Sequence, residues 1–333
     1  MESGDRYSLD YFALGSTSSR LLTGDSEVAR KLEKRLREVY GRSGCLLFNS
    51  GYHANIGILP ALLGRKDLIL SDKLNHASIM DGMRLCQATY KRYRHRDYDH
   101  LVSLLKKLRK RFEKVIIVSE SVFSMDGDVV DIGKLVAVKE EFDCTLYLDE
   151  AHAIGLYGEK GLGMAEEQGC LRGVDYLVGT FGKAPASMGA FVICAEEISR
   201  YLVNHSRSFI FTTGLPPIIH NWNLFVLEEI LLCEKKRRHL QSLSGKLRSE
   251  LVKNGLVTDG STNIVPVMIG EDKLAVTLAE MMRDKKYLVF PVRPPAVPEG
   301  TARFRLSLTA GMNWDDIKAF PEQLAEAMNR SRS

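Results

Sequence analysis

Four short, almost wholly apolar runs limit what this chain can fold into: residues 114–119 (KVIIVS), 144–148 (CTLYL), 176–178 (YLV) and 190–194 (AFVIC). A strand with one wet face alternates apolar and polar residues. These runs do not alternate, so they read as strands buried on both faces. Amphipathic helices accompany them. Residues 26–40 carry Val28, Leu32, Leu36 and Val39 at helical spacing between charges, with Asp25 or Ser26 available as a cap. Residues 101–112 form a second such pattern, whose basic run (Lys106, Lys107, Arg109, Lys110, Arg111) reads as a solvated face. Buried strands alternating with helices imply an α/β fold: a mainly parallel central sheet covered on both sides. In such sheets ligands sit beyond the carboxyl ends of the strands.

The texture changes after Pro216. Residues 224–252 are charged and helical, as one long helix or two with a break, and strand-like runs follow at 263–269, 287–292 and 302–308. The expected division is a large domain over 1–230 and a smaller α+β domain over 231–333. The 333 residues are 45% hydrophobic and 26% charged, which excludes a disordered chain, a collagen and a coiled coil. A net charge of +4 gives no warrant for a nucleic-acid partner. No apolar run approaches the roughly 18–20 residues of a membrane span, and the first thirty residues hold no signal-peptide core. The six cysteines are scattered without a CxxC pair, which suits neither a disulfide framework nor a zinc site. Free thiols in a reducing cytoplasm are expected.

Chemistry gathers just past the strands. Asp149 ends one strand and Lys183 follows the next, thirty-four positions later, which is one crossover in a parallel sheet. A lysine amine can form an imine with an aldehyde, and a carboxylate can hold a protonated pyridine nitrogen. Those are the two contributions that a pyridoxal phosphate enzyme needs from its protein. His152 is placed to reach a ring oxygen and His76 to stack on a ring. The Asn49–Asn55 stretch opens a helix after a strand-like 45–48, and Gly51 there lets backbone N–H groups approach a phosphate. Ser124 and Thr180 add hydroxyl donors. Arg303 and Arg305 alternate with Ala302, Phe304 and Leu306, so they share one strand face, suited to a carboxylate or to nearby Asp and Glu. The DEAH run at 149–152 also spells a helicase box. That reading needs a preceding GxxxxGK[ST] loop, and Gly182-Lys183 comes later and is followed by Ala184.

Five motifs in order carry a family likeness: LNHAS at Leu74, ESVFSMDGD at Glu120, LDEAH at Leu148, GTFGKA at Gly179 and FTTGLPP at Phe211. The chain resembles the α-oxoamine synthases, a group of the fold-type I, aspartate aminotransferase-like enzymes that use pyridoxal 5′-phosphate. The resemblance implies that Lys183 holds the cofactor covalently, Asp149 pairs with its ring nitrogen, His152 with its hydroxyl, and that His76 stacks over the ring. Gly51, Tyr52, Ser124 and Thr180 would surround the phosphate and cofactor. Thr212 or Thr213 would reach the phosphate of the neighbouring subunit, since the sites of this family are shared in a homodimer. Arg305 would hold the amino-acid carboxylate, with Arg293 and Ala296 near the substrate.

The implied reaction is a decarboxylative condensation of an amino acid with an acyl thioester. The segment beginning at Val292 (VRPPAVPEGTARFRLSLT) is most like that of the branch joining L-alanine to pimeloyl-CoA or pimeloyl-carrier protein in biotin synthesis. Condensation of glycine with acetyl-CoA, and a non-catalytic subunit of the same fold, are the alternatives. Loss of Lys183 or Asp149 would mark the latter, and both are present. The family usually carries a segment of several tens of residues before this chain begins, with an acyl-contacting Arg. The expectation is therefore a chain that binds cofactor but turns over slowly. After the lysine, Ala184-Pro185-Ala186-Ser187 stands where the family usually has a glycine-rich run, and Ala296 where the alanine-using branch has Thr.

Overall fold

A computed structural model describes residues 13–332. Expectations about Met1 and the residues just after it lie outside that range. The chain divides into two compact units: the residues up to Ser121 together with Val130–Glu234, and Val122–Val129 together with the residues from Lys235 onward.

The first unit is built on seven strands: β1 (Gly44–Phe48), β2 (Leu68–Asp72), β3 (Thr89–Tyr93), β4 (Val115–Glu120), β5 (Thr145–Asp149), β6 (Tyr176–Thr180) and β7 (Ala190–Cys194). Their order across the sheet is β1-β7-β6-β5-β4-β2-β3. The pairs β6–β5, β5–β4, β4–β2 and β2–β3 are parallel, and β7 runs antiparallel to both β6 and β1. Six strands therefore point one way. Their carboxyl ends bring Asp72, Glu120, Asp149 and Thr180 to one edge. The reversal of β7 left no mark in the sequence, because a strand buried on both faces reads the same in either direction.

Helices cover the sheet. In this unit α1 spans Glu27–Tyr40, α2 Gly51–Leu62, α3 Ala77–Leu85, α4 Tyr98–Leu108, α5 Ile132–Glu141, α6 Met164–Glu167, α7 Glu196–His205, α8 Arg207–Ile210 and α9 Pro217–Leu232. Ser26 caps α1 by accepting from the Ala29 N–H, as the sequence predicts. The helix expected over 101–112 starts earlier, because the Asp97 side chain caps α4, and ends in a 3₁₀ turn, Arg109–Arg111. Arg109 is not on a solvated face. Its guanidinium donates to the carbonyls of Phe142, Phe112 and Asp143. Ile58, Leu59, Ile79 and Met83 of α2 and α3 pack with Leu46, Ile69, Ile116, Val118, Val178 and Val192 of the sheet, all buried. Each such side chain is worth about 1.5–3 kcal/mol of burial. That core holds the strand tips in fixed register.

The second unit contains β8 (Ile264–Gly270), β9 (Pro291–Val292) and β10 (Ala302–Ser307) in the order β8-β10-β9, antiparallel throughout. The strand expected over 287–292 shrinks to two residues. Its helices are α10 (Glu234–Lys253), α11 (Asp272–Asp284), α12 (Trp314–Ile317) and α13 (Phe320–Arg332). The helical stretch expected over 224–252 is thus two helices, with Cys233 between α9 and α10. A single cut at residue 230 does not describe the division. The segment Val122–Val129 groups with the second unit, because Thr262 and Ser261 donate to the Gly127 carbonyl and Arg303 pairs with Asp126.

Candidate active site

In the first unit, neighbouring parallel strands bring Glu120 and Asp149 side by side: the register pairs Glu120 with Asp149 and Asp149 with Val178. Paired residues of adjacent parallel strands face the same side, so two buried carboxyl groups share one spot. Asp149 Oδ1 accepts from the Ala151 N–H at 2.9 Å, and Oδ2 accepts from Asn55 Nδ2 at 2.9 Å. Glu120 Oε1 accepts the backbone N–H of His76 at 2.5 Å. Burial, and then the charge of Asp149, push the Glu120 carboxyl up to about 8.

Lys183 lies just beyond β6. The loop that presents it closes on itself: Phe181 N–H donates to the Gly189 carbonyl, Ser187 N–H to the Phe181 carbonyl and Ala186 N–H to the Lys183 carbonyl, each at 2.9 Å. Thr180 Oγ1 donates to the Gly189 carbonyl and accepts the Gly182 N–H, which locks the start of the same loop. Lys183 Nζ is 2.7 Å from His152 Nε2. An ammonium there donates to Nε2, which makes the Nδ1–H tautomer of His152 the matching one.

Helix α2 begins at Gly51, capped by Ser50, whose Oγ accepts the His53 N–H at 3.2 Å. A Cβ placed on Gly51 would meet only the Thr180 side chain, at 3.9 Å. The helix start therefore lies beside the Thr180 side chain at the end of β6. Tyr52 extends to α3, its hydroxyl donating to Asp81 at 2.8 Å. Asn49 Nδ2 donates to Thr212 Oγ1 and to the Thr213 carbonyl, so both threonines flank the turn that leads into α2. His76 caps α3. Its Nδ1 lies 2.8 Å from Ser78 Oγ and accepts the Ser78 N–H.

Ser124, Arg293, Ala296 and Arg305 fall in the second unit. Arg303 and Arg305 share a face of β10, yet their partners differ. Arg303 is buried and paired with the Asp126 carboxylate. Arg305 donates to the Ser124 carbonyl and to Ser307 Oγ, both neutral oxygens, and burial pulls its pKa down. Arg293 and Ala296 are exposed in the turn after β9, where the Ala296 N–H donates to the Arg293 carbonyl.

Three buried residues about the site were not singled out from the sequence: Asn55, Tyr147 and Glu120. Asn55 had a signal. It stands three and four places before Ile58 and Leu59, on the apolar face of α2. Tyr147 precedes Asp149 by two and so shares its face. The pairing of Glu120 with Asp149 had none, since strand register is not written in either strand alone.

The donor set suits pyridoxal 5′-phosphate. An amine stands past one strand, a carboxylate tips the next, and a twelve-residue helix starts beside the Thr180 side chain with its positive end. The fold and this arrangement define a protein of the aminotransferase-like, fold-type I class. The family model described as aminotransferase class I and II matches residues 6–324, and the chain belongs to that family. It is 49% identical over 322 residues to the 8-amino-7-oxononanoate synthase of Chlorobaculum parvum (strain DSM 263 / NCIMB 8327), covering 97% of this chain and 81% of the relative. Among solved structures it is similar to the 8-amino-7-oxononanoate synthase of Francisella tularensis, with TM-score 0.81 and 27% identity over 93% of this chain and 89% of that one. It is also similar to a structure described as SPT with PLP, with TM-score 0.92 and 31% identity over 97% of this chain and 81% of that one.

Proposed function

We propose that this protein condenses L-alanine with a pimeloyl thioester, releasing the thiol and CO2 to give 8-amino-7-oxononanoate, with pyridoxal 5′-phosphate as cofactor. The observation that carries the reading is the buried Asp149 carboxylate on the strand next to the one that delivers Lys183, whose amine touches His152. The 49% identity to the Chlorobaculum parvum synthase supports the choice of substrates.

In this reading Lys183 binds the cofactor covalently, and Asp149 accepts a hydrogen bond from its ring nitrogen. His152 orients the amine and the ring hydroxyl, and His76 lies against the ring. Gly51, Tyr52 and Thr180 receive the phosphate, with Ser124 near the cofactor. Thr212 and Thr213 serve the phosphate of a second copy in a homodimer. When bound, the cofactor supplies an electron-withdrawing ring that makes the Cα–H of an attached amino acid acidic. Freed when the amine of the amino acid takes its place, Lys183 Nζ would take the Cα proton and later return one. Arg305 holds the alanine carboxylate through its unmatched positive charge, while Arg303 is committed to Asp126. Arg293 and Ala296 border the acyl substrate. One C–C bond forms to the acyl carbon, the C–S bond breaks, and the carboxylate leaves as CO2.

The test is spectroscopic first. Protein mixed with pyridoxal 5′-phosphate develops a visible band, and Lys183→Ala removes it. Thiol release is then measured for alanine with pimeloyl-CoA against glycine with acetyl-CoA. A preference for the second pair overturns the substrate assignment, and a silent spectrum overturns the enzyme.

A further inference from the structure

A hydrogen-bonded chain inside the first unit ties together two residues that the preceding reading assigns to opposite parts of the cofactor ring. Tyr147 Oη donates to Asn55 Oδ1 at 2.5 Å. Asn55 Nδ2 donates both to Asp149 Oδ2 and to Ser78 Oγ, each at 2.9 Å. Ser78 Oγ lies 2.8 Å from His76 Nδ1. Tyr147, Asn55 and Ser78 are almost completely buried.

The chemistry fixes the direction of every link. An ionised Asp149 only accepts, so the amide nitrogen of Asn55 must face it and the amide oxygen must face Tyr147. Ser78 accepts from Asn55, so its own proton points to His76 Nδ1. That nitrogen also accepts the Ser78 N–H, so His76 carries its proton on Nε2. One carboxamide thus sets the orientation of the Asp149 carboxylate and, through one hydroxyl, the ring and tautomer of His76. It lies on α2, the helix whose first turn is the candidate phosphate anchor.

We infer that Asn55, oriented by Tyr147, is a positioning residue that holds the Asp149 carboxylate in one orientation and His76 in a single tautomer, so that the cofactor's nitrogen edge and ring face would be gripped in mutual register. This rests on the cofactor reading above. Three acidic groups stand near Asp149, namely Glu120 on the next strand, Tyr147 on its own strand and the adjoining Glu150, and the Lys183 amine acts on the same Glu120. The side-chain N–H of Asn55 fixes Oδ2 of the carboxylate, as the backbone N–H of Ala151 fixes Oδ1. Burial in particular holds the Tyr147 proton in place, raising its pKa well above the ordinary value.

The experiment titrates the visible band of the pyridoxal 5′-phosphate-loaded protein against pH and measures the affinity for pyridoxal 5′-phosphate. Without the Asn55 N–H, the Asp149 carboxylate loses the hydrogen bond that aims it and would hold the ring nitrogen's proton less well. The linkage to Lys183 then becomes more basic. Asn55→Ala should raise the band's pH midpoint by about one unit and weaken cofactor binding roughly tenfold. Tyr147→Phe should shift the midpoint the same way by less. It removes one hydroxyl and no apolar contact, so it decides the matter should Asn55→Ala fail to fold. A purely structural role would lower thermal stability and leave the midpoint alone. Unchanged midpoints and cofactor affinities in the folded variants overturn the inference and leave the cofactor reading standing. A wild-type protein with no Lys183-dependent band overturns both.

Discussion

Glu120 and Asp149 stand paired in register at the carboxyl ends of adjacent parallel strands, both buried. Two carboxylates cannot both ionise cheaply in such a place. Asp149 accepts two hydrogen bonds, from Ala151 and Asn55, whereas burial and the charge of Asp149 raise Glu120 from 4.5 to about 8. Folded protein therefore keeps a proton on Glu120 that the unfolded chain has released above pH ~4.5. The resulting stabilisation is complete below the unfolded value and disappears as pH rises through about 8. Cofactor-free wild-type protein should lose unfolding free energy between pH 5 and pH 9, by an amount on the order of 4 kcal/mol. Glu120→Gln keeps an acceptor for the His76 N–H and should flatten this dependence. Parallel denaturation curves for the two proteins across that range would show that Glu120 does not hold the proton.

The two arginines of β10 should separate in their effects. Arg303→Ala leaves Asp126 unpaired and should cost about 2 kcal/mol of stability. Arg305→Lys keeps a charge but loses the planar fork that binds a carboxylate. It should raise the KM for alanine roughly 10–100-fold and leave the KM for the thioester nearly unchanged. Equal effects on both substrates would remove Arg305 from the amino-acid site.

That contrast shows where sequence reasoning ran out. Alternation alone placed Arg303 and Arg305 on one face, and the fold agrees. Which of them is neutralised depends on Asp126, which is 177 positions away. The seven strands were partly visible, because a fully apolar run advertises burial. Strands β2 and β3 escaped, since LILSD ends in two polar residues and TYKRY is mostly exposed at the sheet edge. Lys183 and His152 were legible by their motifs, and their 2.7 Å contact agrees with a common site. Asn55 was legible only as a polar residue on an apolar helix face. Its partners come from two other places in the chain, Tyr147 and Asp149 from β5 and Ser78 from α3, so its role appears only when the sheet and two helices are assembled.

The loop behind Lys183 carries a removable strain. Ala186 sits at φ +52°, a left-handed conformation in which a Cβ costs roughly 1 kcal/mol. Its N–H is bonded to the Lys183 carbonyl, so the residue cannot relax without disturbing the loop. Ala186→Gly should stabilise the protein by about 0.5–1 kcal/mol. Urea denaturation measures it, and a destabilised variant would show that the lost side chain matters more than the backbone.

A tighter constraint lies in the loop after Asp149. Glu150 is wholly buried and accepts from Ser121 Oγ at 2.5 Å, the Met164 N–H at 3.0 Å and the Ala165 N–H at 2.7 Å. It thereby satisfies the first turn of α6 and anchors the chain that carries His152. Gly163 precedes that turn at φ +116°, ψ −172°, a region open essentially only to glycine. A Cβ there would lie 2.8 Å from Glu150 Oε2 and 2.9 Å from its carboxyl carbon. The carboxylate is held by three donors and cannot step aside without stranding them. Gly163→Ala should therefore cost about 3 kcal/mol or more, from backbone strain and displaced hydrogen bonds together. Because the disturbance reaches the segment bearing His152, the Lys183-dependent cofactor band should weaken in parallel with stability. A loss under about 1 kcal/mol, with an unaltered band, would mean that this loop yields without passing its strain to the site.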